Sequence, residues 1–567
     1  MEISNKNIVL APKYYHENFN YLLSFVDHKY KEILNENERH FLEKYHLLSE
    51  DEQCLFIRFC NRKGNLFNEK TLKYPEINSI PNCLGNLRKN KFIIEFGDEH
   101  VGFVSELLSF LKKEEVLKIF EEPLLKTAKK LSKSDLISLV LETYTHQKIT
   151  TFFANETPIL KVNFEIETAF IKFLFFGNRY SDMSEFVMRD LGIMQYEKIE
   201  EDQFIARFTT RLEAEDRWQI SIYRESFEEL KEFEQPKEVF NWFMTILENT
   251  KNISEIALPS LEKLKIRVAT FLEKNKEYDN ALQIFNLATT PPSRERVVRI
   301  LIKKNLIPEA IAAAELILEN PKNADEHFFA TDNLNKLKLK ITKSRKSTTE
   351  KLDLANEISI SMGYKYRVEL GTMHSFMAEG YHTAFTENHL WRALFGLVFW
   401  DIIFDPSLVA FHHPLQKRPS DLYLPDFFEK KETYILAQLN QFETTIDLIN
   451  FVANKYNEKL NITNPFVVWL DEIWDLVRVL IEKIELSKLK IVLTEMAKNL
   501  NENTRGFPDL MIWKGNELEF IEVKSPTDSL SNQQLYWLHF FEKVGIKSSV
   551  LRVNYDASIP LPVEISQ

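Results

Sequence analysis

GFPDLMIWKGNELEFIEVKSP, residues 506–526, is the stretch on which the reading of this chain turns. Two short apolar runs flank Gly515-Asn516, a dipeptide suited to a two-residue hairpin loop because such loops need positive φ. Counting outward from that loop, Lys514 pairs with Glu517, Trp513 with Leu518 and Ile512 with Glu519. Asp509 then falls opposite Glu522, with Cβ atoms roughly 4.5–5.5 Å apart. Side chains alternate along a strand, so Lys524 points the same way as Glu522. Like charges face to face destabilise a sheet. A divalent cation between the carboxylates removes the repulsion, and hard oxygen ligands suit magnesium or manganese. The residues alone also allow a solvent-facing hairpin end in which one lysine offsets two acids.

The order "PD", turn, "EVK" resembles the PD-(D/E)xK nuclease core. The longer run RGFPDLMIW…EFIEVKSPTDSLSNQQLYWL is similar to the VRR-NUC subclass, and specifically to the Fanconi-associated nucleases. The resemblance implies a catalytic set of Asp509, Glu522, Lys524 and one upstream glutamate. It implies that Asp509, Glu522, the Val523 carbonyl and that glutamate hold Mg2+ or Mn2+, and it places Gln534 beside the site. Arg505, at the head of the run, is a candidate DNA contact. FTENHLWRALFGLVFWDIIF, residues 385–404, resembles the family segment that carries the upstream glutamate, which here is Glu387. Read from its residues alone, the segment is a nearly all-round apolar helix that belongs in a core. Glu387 at its N-terminus would then only complement the helix dipole. Arg392 and Asp401, and a length short of about 20 apolar residues, exclude a membrane span.

At 567 residues the chain is long enough for several domains. Only 13 glycines, with frequent Lys, Glu and Leu, point to a mainly α protein. The fold class expected is a mainly α multidomain chain: helical N-terminal DNA-binding modules, tetratricopeptide-like repeats, then a C-terminal α/β nuclease domain. A net charge of −12 argues against indiscriminate coating of DNA, so binding must use local basic surface. The three cysteines, Cys54, Cys60 and Cys83, show no metal-ligand spacing and read as reduced thiols of a cytosolic protein. No secretory signal is evident at the N-terminus.

Along the chain, residues 1–100 read as a winged-helix-like domain, in which LFIRFCNRKG also resembles the family. Arg62 and Lys63 are its candidate phosphate contacts. Residues 101–164 read as a SAP-like module. There Ser132 or Ser134 caps a helix, and Lys126, Lys129, Lys130 and Lys133 gather at the start of that helix. Residues 165–350 read as an irregular tetratricopeptide-like domain ending in a basic linker. Ala281 and Ala310 are 29 residues apart, against about 34 for a regular array. Its most basic part carries Arg294, Arg296, Arg299, Lys303 and Lys304, and is read as a grip on DNA near the cut. The linker holds Lys336, Lys338, Lys340, Lys343, Arg345 and Lys346. Solvated charge is the competing reading for each of these groups. Residues 351–567 read as the nuclease domain. Adjacent His412 and His413 lack the spacing of a helical zinc site. Ser531 and Gln534 have capping-box spacing, and Trp537 and Leu538 read as core.

The resemblance implies a metal-dependent nuclease for branched DNA such as a 5′ flap, nick or fork, acting in repair of crosslinked DNA. The chain carries no long N-terminal extension with a ubiquitin-binding zinc finger, which suggests a bacterial-type, cytoplasmic and nucleoid-associated member. Two other readings stand beside it: a junction resolvase or restriction-type enzyme, and a repeat scaffold with an inactive nuclease domain.

Overall fold

The structure, a computed structural model, describes residues 9–62, 64–121, 124–156, 159–338 and 346–561. Lys63, Lys340, Lys343 and Arg345 lie outside them. The chain divides into two compact units, Met1–Ile193 with Ala206–Trp218, and Met194–Ile205 with Gln219–Gln567.

The first unit begins with three helices, Tyr14–Tyr30, Glu36–His46 and Glu50–Cys60. The second and third start in capping boxes, Asn35 with Glu38 and Ser49 with Glu52, which satisfy free N–H groups at both ends of the turn. Strands β1 (Leu66–Asn68) and β2 (Ile93–Glu95) flank the helix Ile80–Lys89. The third strand, β3 (Ile159–Val162), inserts between them, antiparallel to both. Helices and a small antiparallel sheet therefore share this part of the chain. However, the strand that completes its sheet comes from the segment read as the second module. Between β2 and β3 lie short helices whose core, including Leu107, Leu108, Leu136, Val140 and Phe153, also takes in Leu66 of β1 and Ile159 of β3. Ser132, one of the two expected caps, starts the helix Lys133–Thr143 by accepting from the Asp135 N–H.

The second unit contains a run of helices that each pack on the next: Leu258–Lys274, Tyr278–Leu287, Ser293–Lys303, Ile307–Glu319 and Ala324–Lys338. Ala281, Ala310 and Ala314 are fully buried, as close helix approach requires. A five-stranded sheet follows: β4 (Asn356–Ser361), β5 (His382–Phe385), β6 (Leu510–Lys514), β7 (Glu517–Lys524) and β8 (Ser548–Asp556). Its order is β4-β8-β7-β6-β5, with β4, β8 and β7 parallel and the β7-β6 and β6-β5 pairs antiparallel. The sequence reading runs helices straight from the linker to Glu387 and so misses β4 and β5.

Alternation along the strands assigns the two faces of the sheet. Leu510, Ile512, Ile521 and Val523 pack with the helix Val368–Ala378. The residues between them face the other way, towards Leu390–Val398 and Asn532–Val544. An aromatic cluster fills that second side: Trp391 lies 6.0 Å from Phe507, 5.7 Å from Phe520 and 5.6 Å from Phe541 between ring centroids. Phe507 stacks on Trp537 at 4.3 Å. The apolar segment read as a core helix is one, and it bends at Phe399 into Trp400–Phe404. His412 and His413 are buried, and His412 is hydrogen-bonded at both ring nitrogens, to the Ile205 carbonyl (2.9 Å) and Ser420 Oγ (2.8 Å). No helix among the described residues is long and apolar enough to cross a membrane.

Candidate active site

The hairpin register is the one the loop dictates. Leu510 pairs with Ile521 and Lys514 with Glu517. The positive φ of the loop falls on Gly515, at +57°. Asp509 sits one residue beyond the last ladder pair, on the face it shares with Glu522. It is held from two directions: the Val523 N–H donates to its Oδ2 (2.8 Å), and its carbonyl accepts from the Thr386 N–H (2.7 Å) at the end of β5. Lys524 Nζ lies 2.7 Å from Glu522 Oε1. Gln534 Nε2 donates to the same oxygen at 2.5 Å, from a helix whose N-terminus Ser531 and Gln534 cap reciprocally. Gln534 is thus at once a helix cap and a hydrogen-bond partner of Glu522.

Burial sets the electrostatics. Glu522 is 0% exposed and Asp509 8%. Desolvation pushes the Asp509 carboxyl up to about 6, against the Val523 N–H and Lys524, which pull it down. Desolvation, then the charge of Asp509, pushes Glu522 up to about 8, again against Lys524. Glu387 adds to the repulsion on both, and Glu369, in the first turn of Val368–Ala378, adds to that on Asp509. Nothing in the sequence pattern singles out Glu369.

Glu522 Oε2 is buried and has no hydrogen-bond partner among the described residues. An orphaned carboxylate oxygen facing a second buried carboxylate fits a hard divalent cation, which supplies the missing partner and removes the repulsion. Among the described residues no three His, Cys, Asp or Glu side chains converge tightly enough to hold one ion. Two acids therefore form the inner pair. Glu387 stands at the rim, exposed, with its Oε1 accepting from Asn388 Nδ2 at 3.0 Å.

Glu387 precedes the helix rather than starting it: it lies in the turn between β5 and Leu390. Its neighbour Asn388 takes φ +56° and accepts at Oδ1 from the N–H groups of Gly506 (2.7 Å) and Phe507 (3.4 Å). Asparagine tolerates this left-handed region better than most residues. The Glu387 turn is thereby fastened to the loop that delivers Asp509. Sequence reasoning misses Asn388, since positive φ on a residue other than glycine leaves no local signal.

The basic candidates fare differently from the acids. Arg294 donates through Nε to Glu326 Oε1 at 3.1 Å, and Glu326 is fully buried. Arg296 pairs with Glu273 at 3.2 Å, Lys303 with the same carboxylate at 3.1 Å, and Lys304 with Asp279. Arg299 pairs with Glu295 at 3.3 Å and lies over the Phe329 ring. This helix thus spends its cations on holding the solenoid together, with Arg299 and Lys303 the most exposed of them. Arg505 pairs with Glu502, remains half exposed, and stands 3.9 Å from Asp325. In the first unit Arg62, Lys126, Lys129 and Lys130 are exposed, and Lys133 donates to the Ser109 carbonyl at 2.6 Å.

Comparison with known proteins bears on the same segments. A family model described as "FAN1, HTH domain" matches residues 13–94, and one described as "VRR-NUC domain" matches 447–555. The second match contains Asp509, Glu522 and Lys524; Glu387 lies upstream of it. The chain is 25% identical to a Fanconi-associated nuclease 1 homolog of Pseudomonas aeruginosa over 97% of both proteins. It is 24% identical to the Arabidopsis thaliana homolog over 95% of this chain and 67% of that one. The structure shares its fold with a crystal structure of paFAN1 bound to 2-nucleotide 5′ flap DNA with a gap. The TM-score is 0.83 at 24% identity, over 97% of this chain and 99% of that one. A nuclease domain of this kind implies a divalent metal cofactor. Hairpin, opposed acids, lysine and whole-length likeness agree: the chain carries a VRR-NUC domain match and is similar over nearly its whole length to Fanconi-associated nucleases.

Proposed function

We propose that this chain hydrolyses phosphodiester bonds in branched DNA, 5′ flaps first among them, with magnesium or manganese, in repair of interstrand crosslinks. The observation that carries this reading is the buried Asp509–Glu522 pair with its orphaned Oε2 and the Lys524 ammonium 2.7 Å from the other oxygen. The substrate shape is taken from the similar paFAN1 structures, which hold 2-nucleotide and 1-nucleotide 5′ flaps.

Asp509, Glu522, the Val523 carbonyl and Glu387 would hold the metal. When bound, such an ion lowers the pKa of water and offsets charge at phosphorus. The rest falls to the chain's own groups. Gln534 fixes the Glu522 carboxylate from one side. Lys524, held by Glu522, presents an ammonium to a phosphate oxygen that gains charge in the transition state, in a site dry enough to make that contact strong. Glu387, at the exposed rim, is where a cation or phosphate first meets the site.

In the working division, residues 1–100 and 101–164 hold duplex through Arg62, Lys63, Lys126, Lys129, Lys130 and Lys133. Residues 165–350 guide the branch, and 351–567 cut. The setting proposed is the bacterial cytoplasm, at the nucleoid. The test is cleavage of labelled flap, nick, fork and plain duplex of one sequence, with magnesium, manganese or chelator. Preference for the flap, dependent on metal, is expected. Equal cutting of all four shapes, or cutting fixed by sequence, would favour a restriction-type enzyme and overturn the proposal.

A further inference from the structure

Away from the acids, the first unit holds a guanidinium that finds no acid among the described residues. Arg207 lies against the end of the helix Glu165–Phe176, which terminates at Gly177 with φ +69°. A Cβ added at Gly177 would stand 2.2 Å from Arg207 Nε and 2.6 Å from its Cζ. The absence of a side chain at position 177 is therefore what lets the guanidinium lie there. Its Nε is buried without a hydrogen-bond partner among the described residues, while its backbone N–H donates to the Tyr30 hydroxyl at 3.1 Å. The residue as a whole is half-buried.

Among the described residues no carboxylate offsets its charge. Desolvation and the neighbouring Arg217 lower its affinity for the proton, and the Tyr30 and Tyr180 hydroxyls oppose them. Other arginines of this unit contrast with it: Arg58 is paired with Glu76, Arg88 with Glu69, Arg189 with Asp190, and Arg211 with Glu38 and Glu215. A guanidinium carries five donors in a fixed fork, and leaving such a group buried and unpaired is costly. An anion with two oxygens in one plane is its natural complement, and phosphate is such an anion, the one a DNA backbone presents.

We propose that Arg207, seated on Gly177, is the floor of an oxyanion site that takes a phosphate group, in the working enzyme a backbone phosphate of duplex DNA. The DNA arm of this inference rests on the nuclease reading; the phosphate arm does not. The charged end of a helix offers the competing explanation, since a cation there offsets the helix dipole without any ligand.

The deciding measurement uses the intact wild-type chain, labelled with an arginine-selective dicarbonyl and read by mass spectrometry at the peptide holding Arg207. Duplex DNA, with calcium to prevent cutting, and inorganic phosphate are the two protectants. Protection by duplex identifies a backbone phosphate. Protection by inorganic phosphate alone identifies a free-phosphate site. Unchanged labelling with both overturns the proposal, whether or not the chain cuts DNA. Arg207→Gln gives the second readout. Duplex affinity should fall about tenfold, as expected for one charge-assisted pair, and the salt slope should shrink by roughly 0.9. The melting temperature should hold or rise, because a buried unpaired charge has been removed. A lower melting temperature with unchanged affinity would make Arg207 a helix-end residue and end the proposal. Should the variant fail to fold, the wild-type labelling decides alone.

Discussion

Glu522→Gln should make the metal-free fold more stable at alkaline pH while abolishing cleavage. Burial and Asp509 raise the Glu522 carboxyl from an ordinary 4.5 to about 8. Between those values the folded state binds a proton that the unfolded chain has already lost, so wild-type stability declines as pH rises through that window. Holding a carboxyl one pH unit above its ordinary value costs its charged form about 1.4 kcal/mol. That puts a ceiling of about 5 kcal/mol on the loss, and relaxation of the site brings the expected figure to about 3 kcal/mol. The opposing pull of Lys524 is part of the balance that leaves the carboxyl so high. Glutamine mimics the protonated acid in shape and neutrality, and its stability should lack this decline. The assay is denaturant unfolding of the full chain in chelator from pH 4.5 to 9, wild type against variant. The difference should start near a constant at pH 4.5 and grow by about 3 kcal/mol in favour of the variant by pH 9. Saturating magnesium should reverse the order, because ligand binding stabilises only the form that can hold it. A difference that stays flat with pH, or that favours wild type at pH 9 in chelator, would show that Glu522 is not the buried, repelled acid described above.

Asp509→Ala and Lys524→Ala should each abolish cleavage while leaving duplex affinity nearly unchanged; full activity in either would remove the site assignment. Cleavage should stop with chelator and return with magnesium or manganese, whereas calcium should support binding without cutting. Asn388→Gly keeps the left-handed backbone but removes the acceptor for Gly506 and Phe507, so it should cost about 1–2 kcal/mol and lower kcat more than it raises KM. An unaltered rate would mean the Asp509 loop does not need that clasp. Arg294→Ala leaves Glu326 buried without its cation and should cost about 3 kcal/mol, read by denaturant unfolding. Arg296→Ala with Arg299→Ala should instead shift cut positions or slow cutting more than it weakens affinity. Identical positions and rates would make that helix a purely structural part of the solenoid.

What the sequence made legible was local. A two-residue loop fixes a register, and a register fixes which side chains meet, so Asp509, Glu522 and Lys524 could be placed from a count of residues. Serine and glutamine three apart announce a cap, and Ser531 with Gln534 form one. The apolar run around Trp391 announces a core. What stayed hidden depends on partners far along the chain. The strand β3 has four residues and completes a sheet begun about ninety residues earlier, too short to show a period of its own. The strand β5 is equally short, and it is recognisable only by what it pairs with. Basic residues show the same limit: the sequence displays the charge of Arg294 but not Glu326, 32 positions on, which neutralises it. Arg207 is the converse, a cation unremarkable in sequence that becomes notable only because no acid among the described residues reaches it.

The geometry of the nuclease site also orders its acids by depth, and that order carries a mechanism of assembly. Glu522 lies on the central part of the sheet, in β7 between β6 and β8, and is wholly buried. Asp509 lies where the β6 ladder ends and keeps a little exposure. Glu387 lies in a turn at the surface. A cation approaching from solvent would therefore meet a hydrated carboxylate first and a desolvated one last, and would displace the proton that burial and Asp509 keep on Glu522. That gradient is kept by two clasps between segments about 120 residues apart: the Thr386 N–H on the Asp509 carbonyl, and Asn388 Oδ1 on the Gly506 N–H. The helices from Phe427 to Lys498 are folded between them. Because closing a long loop costs only slightly more than closing a short one, this insertion can sit between the halves of the site at little thermodynamic expense. The clasps, not the insertion, then determine how far Glu387 stands from Asp509, and so whether the outer acid can reach an ion held by the inner two.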